Sequence, residues 1–211
     1  MKLYFSPLAC SLATRMAIYD AGLSAEFIEV NRETKQLADG GDYRDVHPLG
    51  TVPALLVDDV LITEMPAVLQ YISDRDPRSR DLSATELRRW LSFVGSELHK
   101  GIFAPLFDSK ASPAAQAYAI ERGKTRLAFI DRHMTGRDYL LDVKSVADMY
   151  LHTALNWTLP TPIALEDYPG LHAFHQSFRK LPFVARAFSE ERPLYLAQQA
   201  ANAGITAPEA P

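Results

Sequence analysis

The first 75 residues alternate short apolar runs with stretches of helical periodicity. Each apolar run ends at a turn-forming or polar residue, as expected for short strands. These runs predict four strands, at Lys2–Phe5, 26–31, Ala54–Val57 and Val60–Thr63. Apolar positions at helical spacing predict two helices, at 11–21 and Met65–Ser73. Because only Asp58-Asp59 separates the last two runs, they are predicted to pair as a hairpin. The predicted order is strand, helix, strand, hairpin, helix, which is typical of a small α/β layer.

Beyond residue 82 the pattern is helical throughout. Helix starts are indicated by N-cap serines followed by an acidic residue or a proline, at Ser83, Ser112 and Ser145. Two shorter helices are predicted from Gly170 and Pro182, and the Ala- and Pro-rich tail from residue 200 is predicted to fray. The second part of the chain is therefore predicted to be all-α.

The segment 74–80 is charged and contains Pro77, which predicts a linker between two units. Residues 1–76 are acidic, whereas the remainder carries a small positive charge, which also suggests two units. We therefore expect an α/β domain at 1–76, a linker at 77–82 and a helical domain at 83–211.

Composition narrows the functional classes. The chain has 211 residues, 47% of them hydrophobic and 23% charged, with a formal net charge of −4. That balance is typical of a globular protein and argues against one that binds nucleic acid through phosphate contacts. No apolar run is long enough to span a membrane and the N-terminus has no signal-like core, so we expect a cytoplasmic protein.

Cys10 is the only cysteine, so the chain can form no internal disulfide. Any thiol chemistry must then involve an external thiol. His172 and His175 have helical spacing, but no further ligands lie near them, and a pair of surface histidines is the preferred interpretation. We expect no metal site.

Cys10 precedes a predicted helix directly after a strand and a loop. Free N–H groups and the helix dipole at such a position favour a thiolate, which would lower the pKa of the thiol. A buried, inert cysteine is the alternative, because cysteine packs well in cores.

Three further features admit both a structural and a functional interpretation. Pro53 stands before a predicted strand, where it is either an ordinary strand-initiating proline or the second residue of a cis peptide bond that exposes the backbone of Val52 to a peptide-like ligand. Glu64 opens a helix, where it either stabilises the first turn or binds a ligand ammonium. The charged segment 97–100 is either a solvated helix face or part of a site.

Taken in order, these features resemble the glutathione S-transferase family, most closely its bacterial beta class. Single motifs are weak, but the ordered set is specific and spans nearly the whole chain. The residues that carry the resemblance are 1–5, 9–13, 40–43, His47-Pro48-Leu49-Gly50, 52–55, Thr63-Glu64, 70–72, 96–100, 138–141 and 145–151, ahead of Trp157.

The resemblance implies a thioredoxin-like N-terminal domain (βαβ-ββα) that binds glutathione as co-substrate. Cys10 would face the glutathione sulfur as a catalytic residue, either polarising it or forming a mixed disulfide with it. Val52, presented by a cis Pro53, would pair through its backbone with the cysteinyl part. Glu64 would bind the γ-glutamyl ammonium and the Met65 N–H its carboxylate, while Lys35 lies in the segment that supplies a cation for the glycyl carboxylate.

The resemblance also implies roles for the helical domain in a homodimer. Glu97 would reach the partner subunit's glutathione, and His99, beside Lys100, would lie near the thiol as a catalytic residue. The electrophile would bind an apolar wall for which the candidates are Phe5, Leu8, Phe103, Phe107 and Trp157, although these aromatic residues could equally belong to the core.

Met65 departs from the family pattern, which usually has serine there, and Pro66 follows it. The missing hydroxyl could weaken glutathione binding by about 1.5–3 kcal/mol. The leading hypothesis is a detoxifying transferase that conjugates glutathione to small hydrophobic electrophiles. The alternatives are a glutathione-dependent thiol–disulfide reductase or lyase acting through a Cys10 mixed disulfide, and a non-catalytic glutathione-binding module.

Overall fold

The computed structural model describes residues 1–203. Four strands form one mixed sheet in the order β2-β1-β3-β4: β1 (Lys2–Phe5), β2 (Glu26–Glu29), β3 (Ala54–Val57) and β4 (Val60–Thr63). β1 runs parallel to β2, through the crossover helix α1 (Ser11–Asp20), and antiparallel to β3. β3 and β4 form the predicted hairpin, and α2 (Met65–Ser73) follows. The predicted thioredoxin-like fold is confirmed.

The rest of the described chain is helical, as predicted. Its helices are α3 (Ala84–Phe93), a π-helical segment (Val94–Phe103), α4 (Ala104–Phe107), α5 (Pro113–Met134), α6 (Val146–Asn156), α7 (Pro169–Phe178) and α8 (Pro182–Asn202). The side-chain oxygens of Ser83 and Ser112 accept hydrogen bonds from backbone N–H groups in the first turn of their helices, and Ser145 forms a capping box with Asp148. No helix in residues 1–203 has the length and apolar character of a membrane span.

The last helix differs from the prediction. α8 is not short but has 21 residues, and it continues through Pro193 and past the position where fraying was expected. A proline removes only one backbone N–H, and packing of the helix against α1 compensates for that loss. The remainder of the tail predicted to fray lies outside the described residues.

Helix α1 lies at the centre of the molecule. Its residues from Ser11 to Ile18 are all buried, and the helix contacts β1, α2, α6 and α8. α6 is buried from Val146 to Leu155 and packs on α1. Because Cys10 stands at the N-terminus of α1, this arrangement places it where the sheet meets the helical half.

A buried ion pair joins the last helix to the loop before Cys10. The Leu8 N–H donates to Glu191 Oε2 at 2.8 Å, and Arg15 Nε donates to Glu191 Oε1 at 2.8 Å. The Glu191 side chain is fully buried, and the Arg15 guanidinium lies over the rings of Phe5 and Phe27 at 4.3 and 4.0 Å from their centroids. Leu8 has a φ of +56°, a conformation that costs energy in a leucine and is held here by the carboxylate.

A pair of histidines forms a second buried polar contact, between α6 and α7. The rings of His152 and His175 stack with centroids 4.7 Å apart, and His175 Nε2 lies 2.8 Å from Asn156 Oδ1. The expectation that His175 is a surface residue is therefore wrong, since its side chain packs inward from α7. Within residues 1–203 no group of three or more potential metal ligands is present.

We expect Glu191→Gln to lower the free energy of unfolding by about 3–5 kcal/mol, because it leaves the buried Arg15 charge without its buried partner. Denaturant unfolding measures this change. Glu190→Gln is the matched control: Glu190 also contacts Arg15, at 2.9 Å, but its side chain is 37% exposed, so a loss of about 1 kcal/mol or less is expected. Equal losses in the two variants would contradict the role assigned to Glu191.

Acidification should destabilise the fold through the histidine stack. Burial lowers the pKa of His152 to about 3 and that of His175 to about 4, so below pH 6.5 the unfolded chain binds protons that the folded chain excludes. Each residue then removes about 1.4 kcal/mol of stability per pH unit. We expect His152→Phe to make the decline between pH 6.5 and 5 shallower by about that amount. Unfolding free energies across this range test it, and a wild-type slope in His152→Phe would contradict the role of the stack.

Candidate active site

A cavity of about 360 Å³ lies between the sheet and the helical half. One wall comes from the loop before β3 and from the start of α2, and the other comes from the π-helical segment and α6. The residues around it are Thr51, Val52, Pro53, Glu64, Met65 and Pro66 on the first wall, and Ser92, Gly95, Ser96, His99, Lys100 and Tyr150 on the second.

Cys10 is buried beside this cavity. Its S–H donates to the carbonyl oxygen of Val52 at 3.1 Å, and 8% of the residue is exposed. Burial raises the pKa of the thiol to about 11, against the opposing effects of Lys100, the Ser11 N–H and Arg32. The expectation of a lowered thiol pKa is therefore wrong, because desolvation outweighs the helix N-terminus and the nearby cations. Cys10 is a protonated donor at neutral pH.

The Val52–Pro53 peptide bond is cis. The Val52 carbonyl accepts the Cys10 thiol, and within residues 1–203 the Val52 N–H has no hydrogen-bond acceptor. Two contacts hold the preceding residue, Thr51. The Tyr43 hydroxyl donates to the Thr51 carbonyl at 2.9 Å, and the Thr51 hydroxyl lies 2.9 Å from His47 Nε2. A backbone N–H on the cavity wall is thus available to an extended ligand.

Glu64 occupies an unfavourable backbone conformation, with φ +68° and ψ 123°. Such outliers cost about 1–3 kcal/mol and cluster at functional sites. Glu64 is the N-cap of α2, yet its side chain caps no helix N–H, so its carboxylate is exposed at the cavity. The Met65 side chain turns into the core, 5% exposed, with its sulfur 3.8 Å from the Thr14 hydroxyl.

His99 lies on the opposite wall. Its Nδ1 is 2.7 Å from the Tyr150 hydroxyl oxygen, and its ring packs on Trp157 with centroids 4.9 Å apart. Burial, reinforced by the positive charges of Lys100 and Arg32, lowers the pKa of His99 to about 4, so its ring is neutral at pH 7. Burial raises the pKa of Tyr150 above its usual range, so the phenol stays protonated.

The predicted apolar wall is partly assembled. Trp157 contacts Phe103 and Phe107, with ring centroids 5.5 and 6.1 Å away, and its Nε1–H donates to the Leu8 carbonyl at 3.4 Å. Phe107 is 36% exposed, whereas Phe103 is fully buried and forms the base of this cluster. Phe5 is 2% exposed and packs under the Arg15 guanidinium. The expectation that it faces a substrate is therefore wrong.

Two other predicted binding residues do not line the cavity. Lys35 has a φ of +66°, and its Nζ donates to the Arg32 carbonyl at 2.7 Å, while burial and the charges of Arg32 and Arg44 lower its pKa. The Glu97 carboxylate accepts hydrogen bonds from Arg122 at 2.8 Å and from Arg126 at 2.9 Å. Both arginines lie on α5 and lower the pKa of the Glu97 carboxyl. Within the described chain, Glu97 is held on the α5 side.

Several residues of the cavity carry no local signal in the sequence. Tyr150 lies 51 positions from His99, and no local pattern links the two. Gly95 and Ser96 lie in the π-helical segment, whose wider turns present residues that an α-helical pattern would place elsewhere. Pro66 was identified only as a departure from the family pattern. The helix period alone could not have located these positions.

The chain matches two family models along its length. Residues 9–75 match the glutathione S-transferase N-terminal domain, and residues 94–182 match the glutathione S-transferase C-terminal domain. Both matches agree with the architecture of a thioredoxin-like layer followed by helices.

Individual relatives give the same result. Glutathione S-transferase GstA of Escherichia coli O157:H7 is 32% identical over 199 residues, covering 90% of this chain and 98% of the relative. A solved sphingomonad glutathione S-transferase complexed with glutathione superposes with a TM-score of 0.85 at 39% identity, covering 90% of this chain and 98% of that one. The beta class enzyme of Sphingomonas chungbukensis gives 0.85 at 36% identity, with the same coverage. This chain therefore belongs to the glutathione S-transferase family.

Proposed function

We propose that this enzyme binds glutathione in the cavity between its two halves and conjugates the glutathione sulfur to small hydrophobic electrophiles. The observation that carries the proposal is a combination on one wall: a cis Val52–Pro53 bond, a Val52 N–H without an acceptor in residues 1–203, and a strained, exposed Glu64. An extended peptide-like ligand with an ammonium group matches that wall. The related sphingomonad structure is described as a complex with glutathione.

Each part of glutathione has a chemically suitable group nearby. The backbone of Val52, beside Pro53, would pair with the cysteinyl unit, and Glu64 with the γ-glutamyl ammonium. The backbone N–H of Met65 at the start of α2 would receive the γ-glutamyl carboxylate, because helix N-termini favour anions. Lys35 would receive the glycyl carboxylate, which requires its ammonium to leave the Arg32 carbonyl. In this arrangement residues 1–76 form the glutathione-binding domain.

The positive charges around the site suit a bound thiolate. A thiolate is the nucleophile, and a free thiol near pKa 8.5 is mostly protonated at neutral pH. Lys100 and Arg32 are the cations that act on Cys10 and His99, and a bound glutathione sulfur would lie in the same field. His99 would donate a hydrogen bond to that sulfur, and Cys10 would do so once its S–H leaves the Val52 carbonyl. The electrophile would lie against Leu8, Phe107 and Trp157, with the fully buried Phe103 packed beneath them.

The raised pKa of Cys10 favours the transferase over the mixed-disulfide mechanism. A Cys10 nucleophile would have to lose its proton first, and at a pKa of about 11 this is unfavourable at pH 7. The Cys10 S–H instead donates a hydrogen bond to the Val52 carbonyl on the wall of the site.

Glu64→Gln should weaken glutathione binding about 10- to 100-fold, because it removes a charge-assisted hydrogen bond to the ligand ammonium. Titration calorimetry measures the affinity, and conjugation of a generic aryl halide measures the activity. The matched control is Glu121→Gln, an exposed residue paired with Lys124, which should leave both unchanged. Wild-type affinity in Glu64→Gln would contradict the placement of glutathione.

The same assays on Cys10→Ser separate the alternatives. Retained binding and retained conjugation are expected if Cys10 is a donor. Retained binding with loss of a disulfide-reducing activity present in the wild type would favour the reductase. Glutathione binding by the wild type without turnover of either substrate would favour the non-catalytic module.

We also propose a homodimer through the helical half. Phe93 and Phe129 lie 5.4 Å apart by ring centroids on neighbouring helices, and Phe129 is 44% exposed. Glu97 lies in the adjacent π-helical segment, held by two arginines of α5. A second copy would cover the aromatic pair and bring Glu97 towards the glutathione of the partner subunit.

The chain mass is 23.5 kDa, so light scattering at micromolar concentration should give twice that value. We expect Phe129→Glu to shift the protein to monomers, because it places a charge in the apolar centre of the interface. Phe188→Glu on α8 is the matched control, since Phe188 is 41% exposed, and it should remain dimeric. A monomeric wild type would refute the proposal, and circular dichroism checks that each variant is folded.

A further inference from the structure

Tyr150 is a buried residue whose hydroxyl reaches the wall of the cavity. It lies on α6 and is 1% exposed. The His99 Nδ1, 2.7 Å from its oxygen, is its only hydrogen-bond partner within residues 1–203. Gly95 packs beside it: a Cβ added at Gly95 would lie 3.6 Å from the hydroxyl oxygen, an ordinary van der Waals contact.

The direction of this hydrogen bond follows from the partners available. A buried phenol donates its proton where it can, because an unsatisfied hydroxyl is costly. His99 Nδ1 is the only acceptor that the described chain offers to the Tyr150 hydroxyl, so Tyr150 donates and Nδ1 carries a lone pair. A neutral imidazole with a bare Nδ1 has its proton on Nε2.

The other ring nitrogen faces the cavity. His99 is one of the residues that line the cavity, and its Nε2 has no hydrogen-bond partner within residues 1–203. Nε2 is not a buried atom, so it is accessible from the cavity that His99 lines. A proton fixed on Nε2 would therefore be presented to a bound ligand.

We propose that Tyr150 is a positioning residue that holds His99 in the Nε2–H tautomer and so makes His99 a hydrogen-bond donor to the glutathione sulfur and not its base. This inference rests on the proposed function, in which the glutathione thiolate lies beside His99. The ring nitrogen that faces the ligand carries a proton and cannot accept one. The proton of the glutathione thiol therefore leaves to solvent.

The surrounding charges agree with this role. The charged and titratable groups that act on this pair are Lys100, Arg32, Cys10 and Glu64. Lys100 and Arg32 both oppose protonation of His99, and donation by Tyr150 requires the lone pair that protonation would remove. These effects keep the imidazole neutral while the same cations attract a thiolate.

The tautomer can be measured directly by long-range ¹H–¹⁵N correlation NMR on the free, histidine-labelled protein, with His99→Gln to assign the signals. At pH 7 we expect His99 to show a bare Nδ1 and a protonated Nε2. In Tyr150→Phe, which keeps the ring and removes the hydroxyl, we expect a mixture of tautomers and a higher His99 pKa. Tyr118→Phe, at a residue 67% exposed, is the control and should leave the His99 signals unchanged.

Kinetics provide the second readout. Tyr150→Phe should lower kcat/KM for conjugation about three- to tenfold and move the acid limb of its pH profile upward, with glutathione affinity unchanged. A protonated Nδ1 in the wild type, or wild-type NMR signals in Tyr150→Phe, would overturn the tautomer assignment whether or not glutathione binds. A changed tautomer with unchanged kinetics would overturn the donor role of His99. An unchanged glutathione affinity in Glu64→Gln would instead contradict the proposed function.

Discussion

The active-site loop depends on one buried carboxylate. Glu191 reaches from the last helix to accept the Leu8 N–H and the Arg15 guanidinium, and it thereby fixes the left-handed residue two positions before Cys10. Loss of either partner of such a pair is costly, because the remaining charge would be desolvated without its buried counterpart. The position of the thiol is therefore set by a residue almost at the other end of the chain. The indole N–H of Trp157 donates a second hydrogen bond from the helical half, to the Leu8 carbonyl.

Desolvation governs the electrostatics of the site. It keeps a proton on Cys10 and keeps one from being added to His99, so both side chains are neutral donors at pH 7. The cations that act on both of these side chains are Lys100 and Arg32. Neutral donors combined with nearby cations stabilise an anion without themselves carrying negative charge, which is the environment that a bound thiolate needs. The helix N-terminus of α1 contributes in the same direction but is too weak to ionise Cys10.

The π-helical segment shapes the second wall. Its wider turns bring Gly95, Ser96, His99 and Lys100 to the cavity from a helix that also supplies Glu97 to α5. Glycine is required at position 101, since a Cβ there would lie 2.9 Å from the Ser96 carbonyl oxygen, five residues earlier. One helix can therefore present cavity-lining residues on one face and an ion-paired carboxylate on another. π-helical turns are rare and are found mostly at functional sites.

The sequence by itself determined the order of elements and the helix caps, because these depend on local periodicity and on residues with special backbone roles, such as Pro53 and Ser145. It indicated the class of chemistry only through the family resemblance. It also identified Cys10, Glu64 and His99 as candidates through a resemblance that spans the chain. Only the tertiary structure decided what these groups can do. The pKa of Cys10, the burial of Phe5, the stacking of His175 on His152 and the pairing of Tyr150 with His99 depend on residues distant in sequence. Desolvation and hydrogen-bond partners are set by packing, and no local pattern encodes them.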